Sequence, residues 1–121
     1  MTIILVEKSI ERDELHELAK LRYGDLVKAV VDIEKGIMSV GGELHVDEEA
    51  FLLDSGSRQQ DLWGINIYPQ KSGDGFIEFD SVINLRPRQE NFTRGVDNPV
   101  ICQKIKEIVQ RLVLGYDKIL S

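Results

Sequence analysis

The strongest constraint on the fold is a stretch of alternating side chains in the first third of the chain. Between Leu26 and Glu34, apolar residues recur at every second position, which is typical of a β-strand with one buried face. A turn at residues 34–36 follows, and an apolar run at residues 37–40 returns. Because two such runs joined by a short glycine-containing turn form an antiparallel hairpin, the sequence predicts a sheet built around this pair.

A second hairpin and an N-terminal strand extend the expected sheet. Residues 62–68 read as a strand that ends at Pro69, and a glycine-containing loop leads to a return strand over residues 76–85. The apolar run at residues 2–6 predicts a further strand at the N-terminus. We therefore expect a mostly antiparallel sheet made of two hairpins plus an N-terminal strand.

Three segments carry helix signals. Ser9, Asp47 and either Asp97 or Asn98 are residues that commonly cap a helix N-terminus, and Pro99 suits the first position of the last helix. In that last segment, apolar residues recur every three or four positions and form one buried stripe: Ile101, Ile105, Ile108, Leu112, Tyr116 and Ile119. The predicted order is β-α-β-β-α-β-β-α, an α+β domain with its helices packed on one face of the sheet.

Composition indicates one domain and excludes several classes of protein. The chain has 121 residues, of which 42% are hydrophobic, and this suits a single domain over residues 1–121. Its net charge of −6 argues against a nucleic-acid partner, since such proteins present basic surfaces. No apolar run is long enough to cross a membrane. Met1 leads into the first strand without a basic segment or a cleavage site, so we expect a cytoplasmic protein.

Several motifs spread along the chain carry a family resemblance. They are Val30-Val31-Asp32-Ile33-Glu34-Lys35-Gly36, Gly41-Gly42-Glu43-Leu44-His45, Asp61-Leu62-Trp63-Gly64-Ile65-Asn66-Ile67-Tyr68-Pro69, Glu78-Phe79-Asp80-Ser81, Ile83-Asn84-Leu85-Arg86-Pro87 and Arg94-Gly95-Val96. Together they resemble a small bacterial domain family of unknown function. The resemblance runs over nearly the whole chain and implies a prokaryotic cytosolic protein built as one domain. It implies no activity and no catalytic residues.

A polar loop before the last helix carries the strongest candidate site. Residues 86–97 hold three arginines, Arg86, Arg88 and Arg94, in an otherwise acidic chain. Guanidinium groups bind oxyanions through paired N–H donors, and the following helix start offers unpaired backbone N–H groups. We predict an anion-binding pocket formed by these arginines together with Asn91. The alternative is that the arginines form structural salt bridges with the excess of acidic residues.

Carboxylates at the polar positions of the two hairpins indicate a second possibility. Asp32 and Glu34 occupy such positions in the first hairpin, and Glu78 and Asp80 occupy them in the second. If the polar faces align, the four side chains converge and could hold Mg²⁺ or Mn²⁺. A solvated antiparallel face alternates in the same way, so the pattern leaves both interpretations open.

Glu43 and His45 form a further pair of candidate metal ligands. They lie two positions apart, so they share a face if the segment is extended. A third ligand, such as Asp47 or Asp61, is needed to complete a site. Without one, the two residues belong to a solvated loop before a helix.

The function that these patterns favour is a non-enzymatic binding or interaction protein that forms a homodimer, binds a small oxyanion and needs no cofactor. The sequence contains no phosphate loop and no complete set of metal ligands. A dimer is expected because the apolar stripe of the last helix continues past Gly115 to Leu120, which is more apolar surface than a small core needs. The alternative is a hydrolase or nuclease-like enzyme that uses Mg²⁺ or Mn²⁺ on a phosphorylated substrate.

Overall fold

The principal helices and strands follow the predicted order of an α+β domain. The computed structural model describes residues 2–116 of the chain. Its elements are β1 (Ile4–Val6), β2 (Ile10–Glu11), α1 (Arg12–Arg22), β3 (Val27–Asp32), β4 (Ile37–Val40), α2 (His45–Asp54), β5 (Leu62–Ile67), β6 (Ile77–Glu78), α3 (Pro99–Leu112) and β7 (Val113–Leu114). The short strands β2 and β7 pair in parallel and add to the predicted order. None of the helices in this part of the chain is long and apolar enough to cross a membrane.

Most of the strands form one antiparallel sheet, in the order β1-β4-β3-β5-β6. The hairpin of β3 and β4 lies at its centre, as the alternating pattern predicts. On its other side β3 pairs with β5 along its whole length, from Val27 opposite Ile67 to Asp32 opposite Leu62. β3 is therefore hydrogen-bonded on both edges, and the prediction of a mostly antiparallel sheet is confirmed.

Helices cover both faces of the sheet, so the prediction that they pack on one face is wrong. α1 and α3 cover the face that carries Ala29 and Val31, here called the α1/α3 face. α2 covers the opposite face, the α2 face, where Leu52 lies in one buried cluster with Val30 and Leu62. The reason is Val30, an apolar residue at a polar position of the alternating strand. Because its side chain is fully buried, the second face also needs a cover.

The return strand of the second hairpin is much shorter than predicted. β6 ends at Glu78, and residues 79–98, here called the 79–98 segment, run along the edge of β5 without forming a strand. The side-chain amide of Asn84 replaces the strand there. It accepts from the Gly64 N–H at 2.9 Å and donates to the Gly64 carbonyl at 3.0 Å. A Cβ atom on Gly64 would lie 2.6 Å from Ser81, so only glycine allows this close approach.

The first two helices do not begin where the capping residues predict. α1 begins at Arg12 rather than directly after Ser9, and α2 begins at His45 rather than after Asp47. In α2 the N–H of Asp47 donates to the Leu44 carbonyl at 3.1 Å, which places residue 45 inside the first turn. The earlier start of α2 brings His45 onto the helix.

The last helix is shorter than its apolar stripe. Asn98, one of the two residues predicted as the cap, caps α3 through its side chain, and the helix ends at Leu112, directly before β7. Tyr116 lies beyond the helix, and its ring packs edge-on against Phe76 at a centroid distance of 4.8 Å. Residues 119–120 lie outside the described part of the chain. The stripe is therefore not one continuous helical surface through Tyr116, and the expected dimer loses that support.

Replacing Asn84 with alanine should destabilise the protein by about 2–4 kcal/mol, because the buried N–H and C=O of Gly64 both lose their partner. Denaturant unfolding followed by Trp63 fluorescence measures the change. Gln103→Ala, at an exposed position of α3, is the control and should change the free energy of unfolding by less than about 0.5 kcal/mol. A loss below about 1 kcal/mol for Asn84→Ala would show that this amide does not hold the edge of β5.

Candidate functional site

A cavity of about 200 Å³ opens on the α2 face, where the start of α2, the 79–98 segment and the start of β3 meet. We call it the His45 cleft, and it is lined by Lys28, Leu44, His45, Val46, Val82 and Arg94. β3 supplies Lys28 because its polar positions face this side of the sheet. α2 supplies His45 because the helix begins at that residue. Three separate stretches of sequence therefore build the cleft.

His45 forms a buried wall of the cleft. The residue is 6% exposed, and its Nε2 lies 2.7 Å from the carbonyl oxygen of Ile65 on β5. Since a carbonyl oxygen can only accept, Nε2 carries the proton, and Nδ1 is an acceptor in the neutral ring. Burial, with smaller contributions from the charges of Lys28 and Arg94, lowers the pKa of His45 from 6.5 to about 4. The imidazole is therefore uncharged at neutral pH.

A row of polar side chains lies on three neighbouring strands of the α2 face. Lys28 on β3 is opposite Asn66 on β5, and Asn66 is opposite Glu78 on β6. The Asn66 side chain donates to Glu78 Oε1 at 2.8 Å, and the Tyr68 hydroxyl donates to the same oxygen at 3.0 Å. Protein donors therefore hold Glu78, with Asn66 between it and Lys28.

Arg94 reaches the cleft from the 79–98 segment. Its Nε donates to Asp80 Oδ1 at 2.7 Å, and the two side chains are 59% and 43% exposed. A guanidinium group has several N–H donors, and this ion pair uses one of them. Exposed ion pairs contribute at most about 1 kcal/mol. An anion in the cleft can therefore compete with Asp80 for Arg94.

A fully buried carboxyl group lies one helical turn beyond His45. Glu48 is 0% exposed; its Oε2 accepts from the Gly42 N–H at 3.0 Å, and its Oε1 has no hydrogen-bond partner within residues 2–116. Burial raises the pKa of Glu48 to about 9. The carboxyl group is therefore protonated at pH 7, and the first turn of α2 carries less negative charge than its sequence suggests.

The three arginines of the predicted anion site do not line one pocket. Arg94 lines the His45 cleft, whereas Arg86 and Arg88 line a separate cavity of about 320 Å³. Arg86 lies over the Trp63 ring at 4.2 Å from its centroid and donates to the Gln59 carbonyl at 2.7 Å. These contacts fix Arg86 to the protein's own backbone. Anion binding by Arg86 and Arg88 stays a prediction.

Asn91, the fourth member of the predicted anion site, holds the 79–98 segment together from within. It is 2% exposed, and its Nδ2 donates to the carbonyls of Asn84 at 2.7 Å and Gly95 at 2.8 Å. Its Oδ1 accepts from the Asp97 N–H at 2.7 Å. The protein itself thus occupies this amide, which gives Asn91 a structural role.

The structure does not assemble the predicted metal site. The carboxylates considered for it are Asp32, Glu34, Glu78 and Asp80. Asp32 and Glu78 share the α2 face, but their partners on β5 are four positions apart, which is about 13 Å along the strand. Glu43 is exposed, whereas His45 is buried against Ile65, so the structure also separates this second pair of candidate metal ligands. Over residues 2–116, no three His, Cys, Asp or Glu side chains are placed to hold a metal ion.

Asp32 has a different role, at the turn between β3 and β4. Its Oδ1 accepts from the backbone N–H groups of Glu34 and Lys35, both at 2.9 Å. Its Oδ2 accepts from the Ser57 hydroxyl at 2.7 Å. Because Asp32 is 1% exposed and hydrogen-bonded on both oxygens, its role is to stabilise the central hairpin rather than to bind a ligand.

Sequence reasoning missed Lys28 and Glu48 as parts of the site. Lys28 resembles an ordinary solvated position of an alternating strand, and Glu48 resembles a first-turn carboxylate that suits the helix dipole. One signal was present, because His45 and Glu48 are three positions apart and share a face once the helix begins at residue 45. Placing the helix start at Asp47 hid that relation.

Fold and site together define a small α+β domain with helices on both faces of one sheet and a cleft that carries two cationic side chains. The sequence matches a family described as a protein of unknown function (DUF5674) over residues 4–112. The chain belongs to this family, which confirms its resemblance to an uncharacterised domain family. No curated protein and no solved structure matches the chain.

Replacing Glu48 with glutamine should remove a pH dependence from the protein's stability. The folded-state pKa of Glu48, about 9, lies above its ordinary value of 4.5. The unfolded state therefore loses this proton first, and the contribution of Glu48 to wild-type stability falls as pH rises between those values. The free energy of unfolding, measured for both proteins from about pH 5 to pH 9, should favour Glu48→Gln increasingly with pH.

Glu43→Gln is the matched control for this measurement, because Glu43 is exposed just before the same helix. Its stability should follow the wild-type pH profile. A constant difference between wild type and Glu48→Gln over the whole range would contradict the buried, protonated carboxyl group.

Proposed function

We propose that this protein is a small, non-enzymatic binding protein that recognises an anionic group in the His45 cleft. One observation carries the proposal: in a chain of net charge −6, Lys28 and Arg94 line the same cavity as the first residues of α2. Carboxylate and phosphate groups suit this set of donors, because charge-assisted hydrogen bonds to such oxygens are strong.

The start of α2 adds a favourable electrostatic contribution. Leu44, the N-cap residue, has no polar side chain and makes no side-chain cap bond. Helix N-termini attract anions through their free N–H groups and the helix dipole. Protonation of Glu48 removes one competing charge from this turn, and Asp47, which is exposed, retains one.

The rim of the cleft is apolar. Leu44, Val46 and Val82 are 51%, 44% and 56% exposed, and all three line the cavity. Ligand sites typically combine an apolar lining with a few placed polar groups. The ligand class that fits is therefore a molecule that joins one anionic group to an apolar body.

The chemistry of His45 favours binding over proton transfer. With a pKa of about 4, the imidazole is a weak base at neutral pH, far from the value that suits a general base. Its Nε2 is also engaged by the Ile65 carbonyl. His45 therefore contributes an uncharged wall to the cleft, next to the cationic donors of Lys28 and Arg94.

The proposal includes a cytoplasmic location for the protein. Cys102 is the only cysteine of the chain and is a free thiol. Its Sγ lies 3.1 Å from the Val96 carbonyl oxygen, and burial raises the pKa of the thiol. A free and unreactive cysteine suits a reducing compartment.

Titration of isotope-labelled protein with phenyl phosphate and with inorganic phosphate, followed by NMR, tests the proposal. Both should shift the amide signals of His45 and Val46, and phenyl phosphate should bind more tightly because its ring contacts the apolar rim. Lys28→Gln and Arg94→Gln should each weaken phenyl phosphate binding by about tenfold.

Arg88→Gln is the matched control, because Arg88 lies on the 79–98 segment but lines the other cavity. It should leave the affinity unchanged. Loss of binding in Arg88→Gln with retention in Lys28→Gln would place the anion site in the arginine loop and contradict the proposal. Absence of shifts at the start of α2 with saturating ligand would also contradict it.

A further inference from the structure

We propose that two copies of this chain pair edge to edge through β1 and join their five-stranded sheets into one continuous sheet. β1 is the outermost strand at one end of the sheet, and β4 is its partner among the strands of residues 2–116. This pairing uses no residue that lines the His45 cleft, so it stands or falls independently of the proposed ligand.

The two edges of the sheet differ in how their backbone groups are protected from pairing with another strand. At the far end β6 is two residues long, and beyond it Asn84 and Arg86 bind the backbone of Gly64 and Leu62. At the near end, residues 2–6 contain no charged residue, proline or glycine. Proteins usually protect an open edge with such residues, because unpaired backbone groups invite another strand. Only the β1 edge lacks this protection in the described sheet.

The strand pairing fixes which backbone groups of β1 point outward. Gly64 directs its N–H and C=O away from β3, towards Asn84, so its partner Val30 directs its own groups towards β4. Val30 is opposite Ser39, which therefore faces β3. Leu5 is opposite Ser39 on the other side, so the Leu5 groups face away from the sheet. Extending this alternation one residue before β1 makes the backbone groups of Ile3 face outward with those of Leu5.

A two-fold axis beside Ile4 satisfies these outward groups. It places Ile3 opposite the partner's Leu5 and Leu5 opposite the partner's Ile3, and each pair exchanges both backbone hydrogen bonds. Ile4 then lies next to the partner's Ile4 on the α1/α3 face. Every side chain brought together between Ile3 and Leu5 is apolar, so the register buries no charge.

Apolar surface flanks β1 on both faces of the sheet. On the α1/α3 face, Leu21 is 80% exposed beside a cavity of about 240 Å³ lined by Thr2, Ile4, Leu18, Leu21, Arg22 and Gly41. On the α2 face, Leu5 and Phe51 are half-buried. A strand docked on this edge is covered fully only if it brings an apolar layer above and below itself.

A second copy of this chain is the occupant that meets the requirement. It brings α1 with Leu21 on one face and α2 with Phe51 on the other, in the positions that the two-fold axis prescribes. A bare peptide strand would satisfy the backbone of Ile3 and Leu5 but would leave Leu21 exposed. The geometry therefore points to the homodimer rather than to capture of a peptide.

Sedimentation equilibrium of the full chain, combined with amide hydrogen exchange, tests the pairing. At protomer concentrations of about 100 μM the mass should be twice 13.8 kDa. In the dimer the amides of Ile3 and Leu5 should exchange slowly, like that of Ile4, and they should become fast on dilution to the monomer. A mass of 13.8 kDa at that concentration, or fast exchange at Ile3 and Leu5 in the dimer, overturns the proposal.

Substitutions locate the interface. Ile3→Pro removes an outward N–H that β4 does not use, and Leu21→Lys places a charge in the flanking patch; each should weaken the dimer by about tenfold or more. Ile3→Val keeps the strand and is the control, with an unchanged dissociation constant. Thermal unfolding at low protein concentration checks that the variants fold. A dimer that survives both substitutions in folded protein has its interface elsewhere, and the β1 pairing is then wrong.

Discussion

The other elements of the domain are arranged around β3, which is enclosed on both edges and both faces. β4 and β5 occupy its edges, α1 and α3 cover one face, and α2 with the 79–98 segment covers the other. Val30 is the buried centre of the α2 face, with Lys28 and Asp32 on either side of it along the strand. The β3–β4 turn uses Asp32. Lys28 lies where α2 and the 79–98 segment separate, and the His45 cleft is the gap between them.

The contributions of His45 and Glu48 to the stability of the fold change in opposite directions with pH. Because the folded-state pKa of Glu48 is raised, its contribution to stability is full below 4.5 and is lost as pH rises towards 9. The folded-state pKa of His45 is lowered, so its contribution is full above 6.5 and is lost as pH falls towards 4. The two slopes oppose each other between 4.5 and 6.5. At pH 7 both groups are uncharged, which leaves Lys28 and Arg94 as the charged lining of the cleft.

The central hairpin and α3 could be predicted because their signals are local. Alternation over residues 26–34 specifies a strand, and the apolar stripe with the Asn98 cap specifies the last helix. The cleft depends on contacts between distant residues that no local pattern encodes. Asn84 replaces a strand by binding the backbone of Gly64. Arg12 has polar neighbours in the sequence, yet it is 5% exposed. It donates to the backbone carbonyls of Pro69 and Gly115, which are distant in the sequence. Because of such side-chain to backbone bonds, β6 is shorter than the sequence predicts, and the residues of the cleft could not be identified from local patterns.

Titration of the His45 ring by proton NMR, with and without phosphate, tests whether a buried, uncharged histidine lies beside an anion-binding cleft. In the free protein the midpoint should lie near 4. Saturating phosphate should raise it, because an anion in the cleft stabilises the imidazolium, whereas chloride at equal ionic strength should not. His16 lies on α1, which covers the opposite face of the sheet, so its ring signals at a fixed pH should not respond to phosphate. A His45 midpoint near 6.5 in the free protein, or one that phosphate does not move, would contradict a buried histidine beside an anion-binding cleft.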